Sequence, residues 1–281
     1  MPVVDVPSGQ VEYLVDGDGP PVVLLHGLLM DQSLWDRVMP LLPSGFRYIR
    51  PLLPFGSHRL PMHADADLSM TGMAGLVADF LEALDLDDVT LVHTDWGGGL
   101  FLTAMGRDDR VAQLVILPCE AFENFPPGLP GRLVALAGRI PGGLVIGIRP
   151  LRVSWLRRLP VLYGQMASSP LPDALMRRWT DPVLRDKLIR RDVRSYLRTR
   201  FDAADLVRQT EALAGFGGRA LVLWSANKVM PLDHGRRLAG LIPGAQYREV
   251  PDAAVLSMLD QPEIVAEEMS RFLSAIPTSS S

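Results

Sequence analysis

Residues 89–99 read Val-Thr-Leu-Val-His-Thr-Asp-Trp-Gly-Gly-Gly, a buried-type apolar run, one acidic residue and then three glycines. A strand that breaks into a glycine-demanding turn and then a helix holds its turn residue over the carboxyl end of a parallel sheet. Ligands of open α/β sheets collect at that end. Here the turn residue is Asp95. The rest of the chain supplies such a sheet. Strand-type runs at Val11–Val15, Val22–Leu25, Phe46–Ile49, Val89–Val92, Ala112–Leu117, Ala220–Trp224 and Gln246–Val250 alternate with helical patterns. Those patterns lie near 69–84, 97–106, 234–241 and 262–273. Alternation of this kind predicts an α/β fold, a mostly parallel central sheet flanked by helices.

The alternation fails between Ala121 and Leu206, where helical patterns and loops such as Asn124-Phe-Pro-Pro-Gly-Leu-Pro-Gly131 take over. We expect an α/β core over 1–120 and 207–276, an inserted helical lid over 121–206, and a disordered tail at 277–281. Charge follows the same division. Residues 132–208 hold 15 Arg and 1 Lys against 6 Asp, a balance of +10, whereas the whole chain carries −4. Amphipathic helices showing arginine to water account for this; attraction of an anionic substrate or carrier is the sharper reading. No nucleic-acid motif accompanies the arginines, so no nucleic-acid partner is expected. The single cysteine, Cys119, fits a reducing compartment. Nothing at residues 1–9 resembles a signal peptide, and the apolar stretch 129–148 is interrupted by Arg132, Arg139 and Pro141. A cytoplasmic protein with no membrane partner is the expectation, and no cofactor or metal is implied.

Three segments carry a family resemblance. Leu24-Leu-His-Gly-Leu-Leu-Met30 resembles a histidine-glycine turn that follows the third strand, residues 89–99 resemble a nucleophile elbow, and 221–231 with Asp260-Gln-Pro262 resembles a seventh-strand loop and the start of a last helix. Together they resemble the α/β-hydrolase fold, over nearly all of the chain outside the lid. Aspartate at the elbow resembles the subset of epoxide hydrolases and haloalkane dehalogenases. The resemblance implies Asp95 as catalytic carboxylate, with the amides of Leu28 and Trp96 as an oxyanion hole. Alternatively, Asp95 merely caps the helix that follows it.

The departures from that subset are equally specific. The position of its histidine, five residues before Asp260, holds Val255, and the position of its acid either holds Asn227 or is deleted from a loop about one residue short. Without that base, an ester on Asp95 has nothing evident to activate a hydrolytic water. Glu120, which follows the sixth strand, is the expected second catalytic carboxylate; a hinge contact is its alternative. The expected substrate-binding set is His26, His93, Trp96, Trp155, Tyr163, Trp179 and Tyr196. His26 would also shape the oxyanion turn, and His93 would lie hydrogen-bonded beneath the elbow. His58 and His63 fall in the loop after the fourth strand within conceivable reach of the site, and His234 is expected on a solvent-facing helix.

Three functions follow. The leading one is an atypical epoxide-hydrolase-like enzyme that tailors a bulky, apolar secondary metabolite, with Asp95 as nucleophile or general base. The second is a non-hydrolytic isomerase or epimerase of a natural product or modified peptide. The third is an inactive fold that binds a small molecule. Dehalogenation is disfavoured, because Leu28 stands where a halide-binding asparagine resides in that group.

Overall fold

Among the described residues, eight strands hydrogen-bond into one sheet in the order β1-β2-β4-β3-β5-β6-β7-β8. They are β1 (Val3–Val6), β2 (Gly9–Asp16), β3 (Pro21–Leu24), β4 (Arg47–Pro51), β5 (Val89–Asp95), β6 (Val111–Cys119), β7 (Arg219–Trp224) and β8 (Gln246–Glu249). The structure is a computed structural model and describes residues 1–199 and 203–275. β1, β2 and β4 pair antiparallel, and every pairing from β4 through β3, β5, β6 and β7 to β8 is parallel. The expected α/β class and mostly parallel sheet are therefore observed. β1 had no sequence signal, because it lies at the sheet's edge and buries only Val6.

Buried on both faces, β5 needs no polar alternation, and all of its residues are buried. Helices α1 (Met70–Ala83), α2 (Phe101–Ala104), α9 (Leu232–Leu241), α10 (Ser257–Asp260) and α11 (Pro262–Ser274) accompany the sheet. The start of α1 is set by Ser69, whose hydroxyl accepts from the Gly72 amide at 3.0 Å. The helix expected over 97–106 opens instead as a 3-10 turn, Gly97–Leu100, and only Phe101–Ala104 is α-helical. A run of three glycines has too little helix propensity to begin an α-helix.

Between β6 and β7 the chain forms α3 (Gly128–Arg139), α4 (Gly143–Ile148), α5 (Ser154–Arg157), α6 (Asp173–Arg185), α7 (Lys187–Leu197) and α8 (Ala203–Glu211). The boundary expected at residue 207 falls inside α8, and the tail expected to be disordered, 277–281, lies outside the described residues. Long-range polar contacts tie this insert to the core. Asp31 accepts from Trp179 Nε1 at 3.1 Å and from Arg178 Nε at 2.5 Å. Asp260 accepts from the Ser168 and Ser169 amides at 2.9 and 2.7 Å. The Leu256 amide donates to Met166 O at 2.8 Å. Among the described residues, no helix is long and apolar enough to cross a membrane.

Candidate active site

Asp95 closes β5 with φ +62°, a left-handed conformation that aspartate tolerates better than most non-glycine residues and that Asp85, Asp88 and Asp252 also adopt. Glycines let the neighbouring chain pack against this turn. A Cβ on Gly27 would land on the Asp95 carboxylate, and one on Gly98 would strike the Trp96 indole. Only glycine at both places lets the turn after β3 close on Asp95 and the 3-10 turn close on the Trp96 ring. The Leu28 amide then donates to Asp95 Oδ2 at 3.0 Å. The Glu120 amide donates to the Asp95 carbonyl at 3.0 Å, which fixes Glu120 beside the elbow.

The Asp95 side chain is 7% exposed. Burial raises its pKa from the ordinary 3.8 to about 6, and the Leu28 hydrogen bond offsets only part of that rise. The same surroundings act on its neighbours. The Cys119 thiol and the Tyr196 hydroxyl are both pushed up, first by burial and then by the negative charge of Glu120 and Asp95. Tyr163 is raised by burial and then by Asp95. Both phenols stay protonated at neutral pH.

Asp95, Trp96, Glu120, Tyr163 and Tyr196 line one cavity of about 1200 Å³ over the carboxyl ends of β3, β5 and β6. That is large for a small-molecule site. The rest of its wall is mainly aliphatic and comes from the insert, including Leu133, Leu136 and Leu144. These wall residues were not among those expected from the sequence. The available signal was the apolar stretch 129–148, whose helices bury one side in the fold and turn others to the cavity.

The expected oxyanion pair is altered. The Leu28 amide points at the carboxylate itself, and the Trp96 amide donates to Thr94 O at 2.8 Å. With Asp95 at positive φ between them, residues 94–96 form a tight three-residue turn that engages the Trp96 amide internally. Trp96 Nε1 is buried and finds no partner among the described residues.

Several expected substrate contacts are absent from the cavity wall. His26 is fully buried, accepts from the Leu53 amide at 2.9 Å and donates to Gly27 O at 3.0 Å, so it braces the turn after β3. Burial lowers its pKa to about 4. His93 is also buried, but its ring nitrogens have no partner among the described residues, contrary to the hydrogen bond expected beneath the elbow. Burial lowers its pKa to about 3, so it is a neutral filler against Gly99. Trp179 is buried and held by Asp31 and Ser33, while Trp155 is 69% exposed on α5. Neither faces the cavity.

The remaining histidines lie outside the cavity wall. His58 accepts from the Gly56 amide at 3.2 Å and donates to Asp192 Oδ2 at 3.2 Å, clasping the loop after β4 to α7. His63 lies 3.2 Å from Pro7 O on the surface. His234, expected to face solvent, is buried edge-on to Phe122 and lies 3.4 Å from Glu123. Val255 is fully buried outside the cavity wall, in a loop held by the Ala254 and Leu256 amides. Asn227 caps its own loop by accepting from the Val229 and Met230 amides at 3.0 and 2.6 Å. Among the described residues, no histidine lines the cavity, and no cluster of His, Cys, Asp or Glu has the makings of a metal site.

The mostly parallel sheet with flanking helices agrees with the family comparison. The profile of the alpha/beta hydrolase family matches residues 22–268. The chain belongs to the alpha/beta hydrolase family. Haloalkane dehalogenase 1 of Mycobacterium bovis is 36% identical over 173 residues, 51% of this chain and 57% of the relative. The soluble epoxide hydrolase of Corynebacterium sp. strain C12 is 34% identical over 124 residues, 42% of each chain. The matches span about half the length of these curated relatives. A variant of the meta-cleavage product hydrolase from Pseudomonas fluorescens IP01 superposes with a TM-score of 0.76 at 19% identity, covering 98% of this chain and 97% of that one. Likeness at that identity concerns the fold.

Proposed function

We propose that this α/β-hydrolase-fold chain opens an epoxide on a bulky, apolar substrate such as a secondary metabolite, with Asp95 as general base. The single observation that carries the reading is the shared cavity. A buried carboxylate and two protonated lid phenols, Tyr163 and Tyr196, border the same aliphatic chamber. An epoxide needs attack at carbon and a proton at its leaving oxygen, and these groups serve both ends.

Direct base catalysis fits the site better than an ester on Asp95. Hydrolysing that ester calls for a base and for two donors to its oxyanion. The base position is the buried Val255, and the Trp96 amide is engaged within its own turn. A carboxylate titrating at about 6 is instead well matched to take a proton from water near neutral pH. In the proposed step the water oxygen bonds to an epoxide carbon as Asp95 takes its proton. The C–O bond breaks toward oxygen, which takes a proton from a lid tyrosine. Return of the proton from Asp95 to the tyrosinate closes the cycle. Glu120 is the second carboxylate at the cavity floor and holds the attacking water.

Halide displacement is the less suitable chemistry, because Trp96 Nε1 has no second side-chain donor at Leu28. A second reading, proton transfer in an isomerase or epimerase, rests on the same near-neutral carboxylate without a histidine. The test is turnover of a panel of bulky apolar epoxides such as trans-stilbene oxide. The reading expects diol formation that rises with pH through about 6 and disappears in Asp95→Asn. Diol formation that survives in Asp95→Asn refutes it. Deuterium uptake from solvent without ring opening selects the isomerase.

A further inference from the structure

The insert carries a feature that the proposed reaction does not use. Residues 124–172 contain six arginines and not one Asp, Glu or Lys. Arg132, Arg139, Arg149 and Arg158 are exposed and make no ion pair among the described residues. Interleaved with them are exposed apolar side chains: Ile146 at 72%, Trp155 at 69%, Leu136 at 52% and Ile140 at 47%. Arginines that serve the fold behave differently: Arg157 is paired with Asp173, and Arg152 with Asp181.

We propose that this face of α3, α4 and α5 docks on an anionic lipid surface. An exposed apolar patch of this kind marks an interaction site. Its composition of aliphatics, one exposed tryptophan and unpaired arginines is that of a surface seated at the headgroup boundary. The arginines neutralise anionic headgroups while their stems lie along the apolar residues. A second copy of the chain is a poor occupant, because a two-fold contact would set the same unpaired arginines against each other. Lipid also explains the position of the patch. Leu136, Ile140 and Ile146 are exposed and at the same time line the cavity over Asp95. An apolar ligand dissolved in a bilayer would reach the carboxylate through this rim without crossing water. Surface docking needs no membrane-spanning helix, and it revises the expectation of no membrane partner.

The experiment is vesicle flotation of the full chain with pure phosphatidylcholine and with a 3:1 mixture of phosphatidylcholine and phosphatidylglycerol. Binding to the anionic vesicles is expected, falling steeply as salt is raised, with little binding to neutral ones. Removing one arginine, by Arg132→Gln or Arg149→Gln, should weaken partitioning roughly fivefold. Trp155→Ser should weaken it on the order of tenfold with an unchanged circular dichroism spectrum, since the side chain is exposed. Equal binding to both vesicles, no binding to either, or indifference to Trp155→Ser overturns the proposal. So does a dimer in size-exclusion chromatography that Trp155→Ser dissolves. Capture of poly-glutamate with the same tryptophan dependence, and without vesicle binding, assigns the face to an acidic protein instead and also overturns it.

Discussion

Replacing Asp95 by asparagine should abolish turnover and make the protein more stable. In the folded chain Asp95 ionises at about 6, against an ordinary 3.8. Between these values the folded state holds its proton more tightly than the unfolded chain does. Stability therefore falls as pH rises from about 4 through 6, and it stays lowered above that. The gap corresponds to about 3 kcal/mol at pH 8. Asparagine never ionises, and its carbonyl oxygen can still accept from Leu28, which donates to Oδ2 at 3.0 Å. Its amide nitrogen lacks an evident buried acceptor, at a cost of about 1 kcal/mol. A net gain of about 2 kcal/mol at pH 8 follows, equivalent to about 3 °C in Tm for a chain of this size. Urea and thermal unfolding of both proteins at pH 4 and pH 8 measure it. At pH 4 the advantage should vanish, leaving the variant level or slightly worse. A variant that is less stable at both pH values, or equally more stable at both, refutes the idea that the site stores an unfavourable buried charge.

Other expectations follow from the same site. Tyr196→Phe and Tyr163→Phe should each lower kcat without unfolding the chain, and the tyrosine that donates to the ring oxygen should cost 10²-fold or more; equal wild-type rates in both would remove the phenols from the mechanism. Glu120→Gln should lower kcat while leaving the chain folded, and an unaltered rate would make Glu120 a hinge contact. Asp192→Ala breaks its bonds to His58, the Met62 amide and Arg191, and should destabilise by about 3–5 kcal/mol in denaturant titrations. Leu136→Trp, on the cavity wall and half exposed, should raise KM for bulky epoxides more than for small ones; a uniform effect would separate the cavity from substrate selection.

How far the sequence could be read depended on how local each signal was. The apolar runs of β3, β5, β6 and β7 are buried on both faces and announce themselves, whereas the edge strand Val3–Val6 is half exposed and does not. Asp95 was legible because Gly98 and Gly99 have few reasons to follow a strand except to let the backbone close on Trp96 and His93. The aromatics of the insert were not. Trp179 is held by Asp31, nearly 150 residues away, and Trp155 is exposed on a single turn of helix. The same distance effect hid the histidines. His26 and His58 find their partners in loops after other strands or in α7, so spacing alone could not separate brace from catalyst. The engagement of the Trp96 amide within the elbow is a backbone detail with no trace in side-chain identity.

The central claim is that Asp95 activates water and forms no ester with substrate. A single turnover in heavy-oxygen water, with enzyme in excess over a bulky epoxide, tests this most directly. Direct base catalysis puts the label in the diol from the first turnover and leaves the Asp95 peptide at its original mass. An unlabelled first-turnover diol with label in the Asp95 carboxylate, or substrate mass persisting on that peptide with no diol released, would contradict the account and make Asp95 a nucleophile.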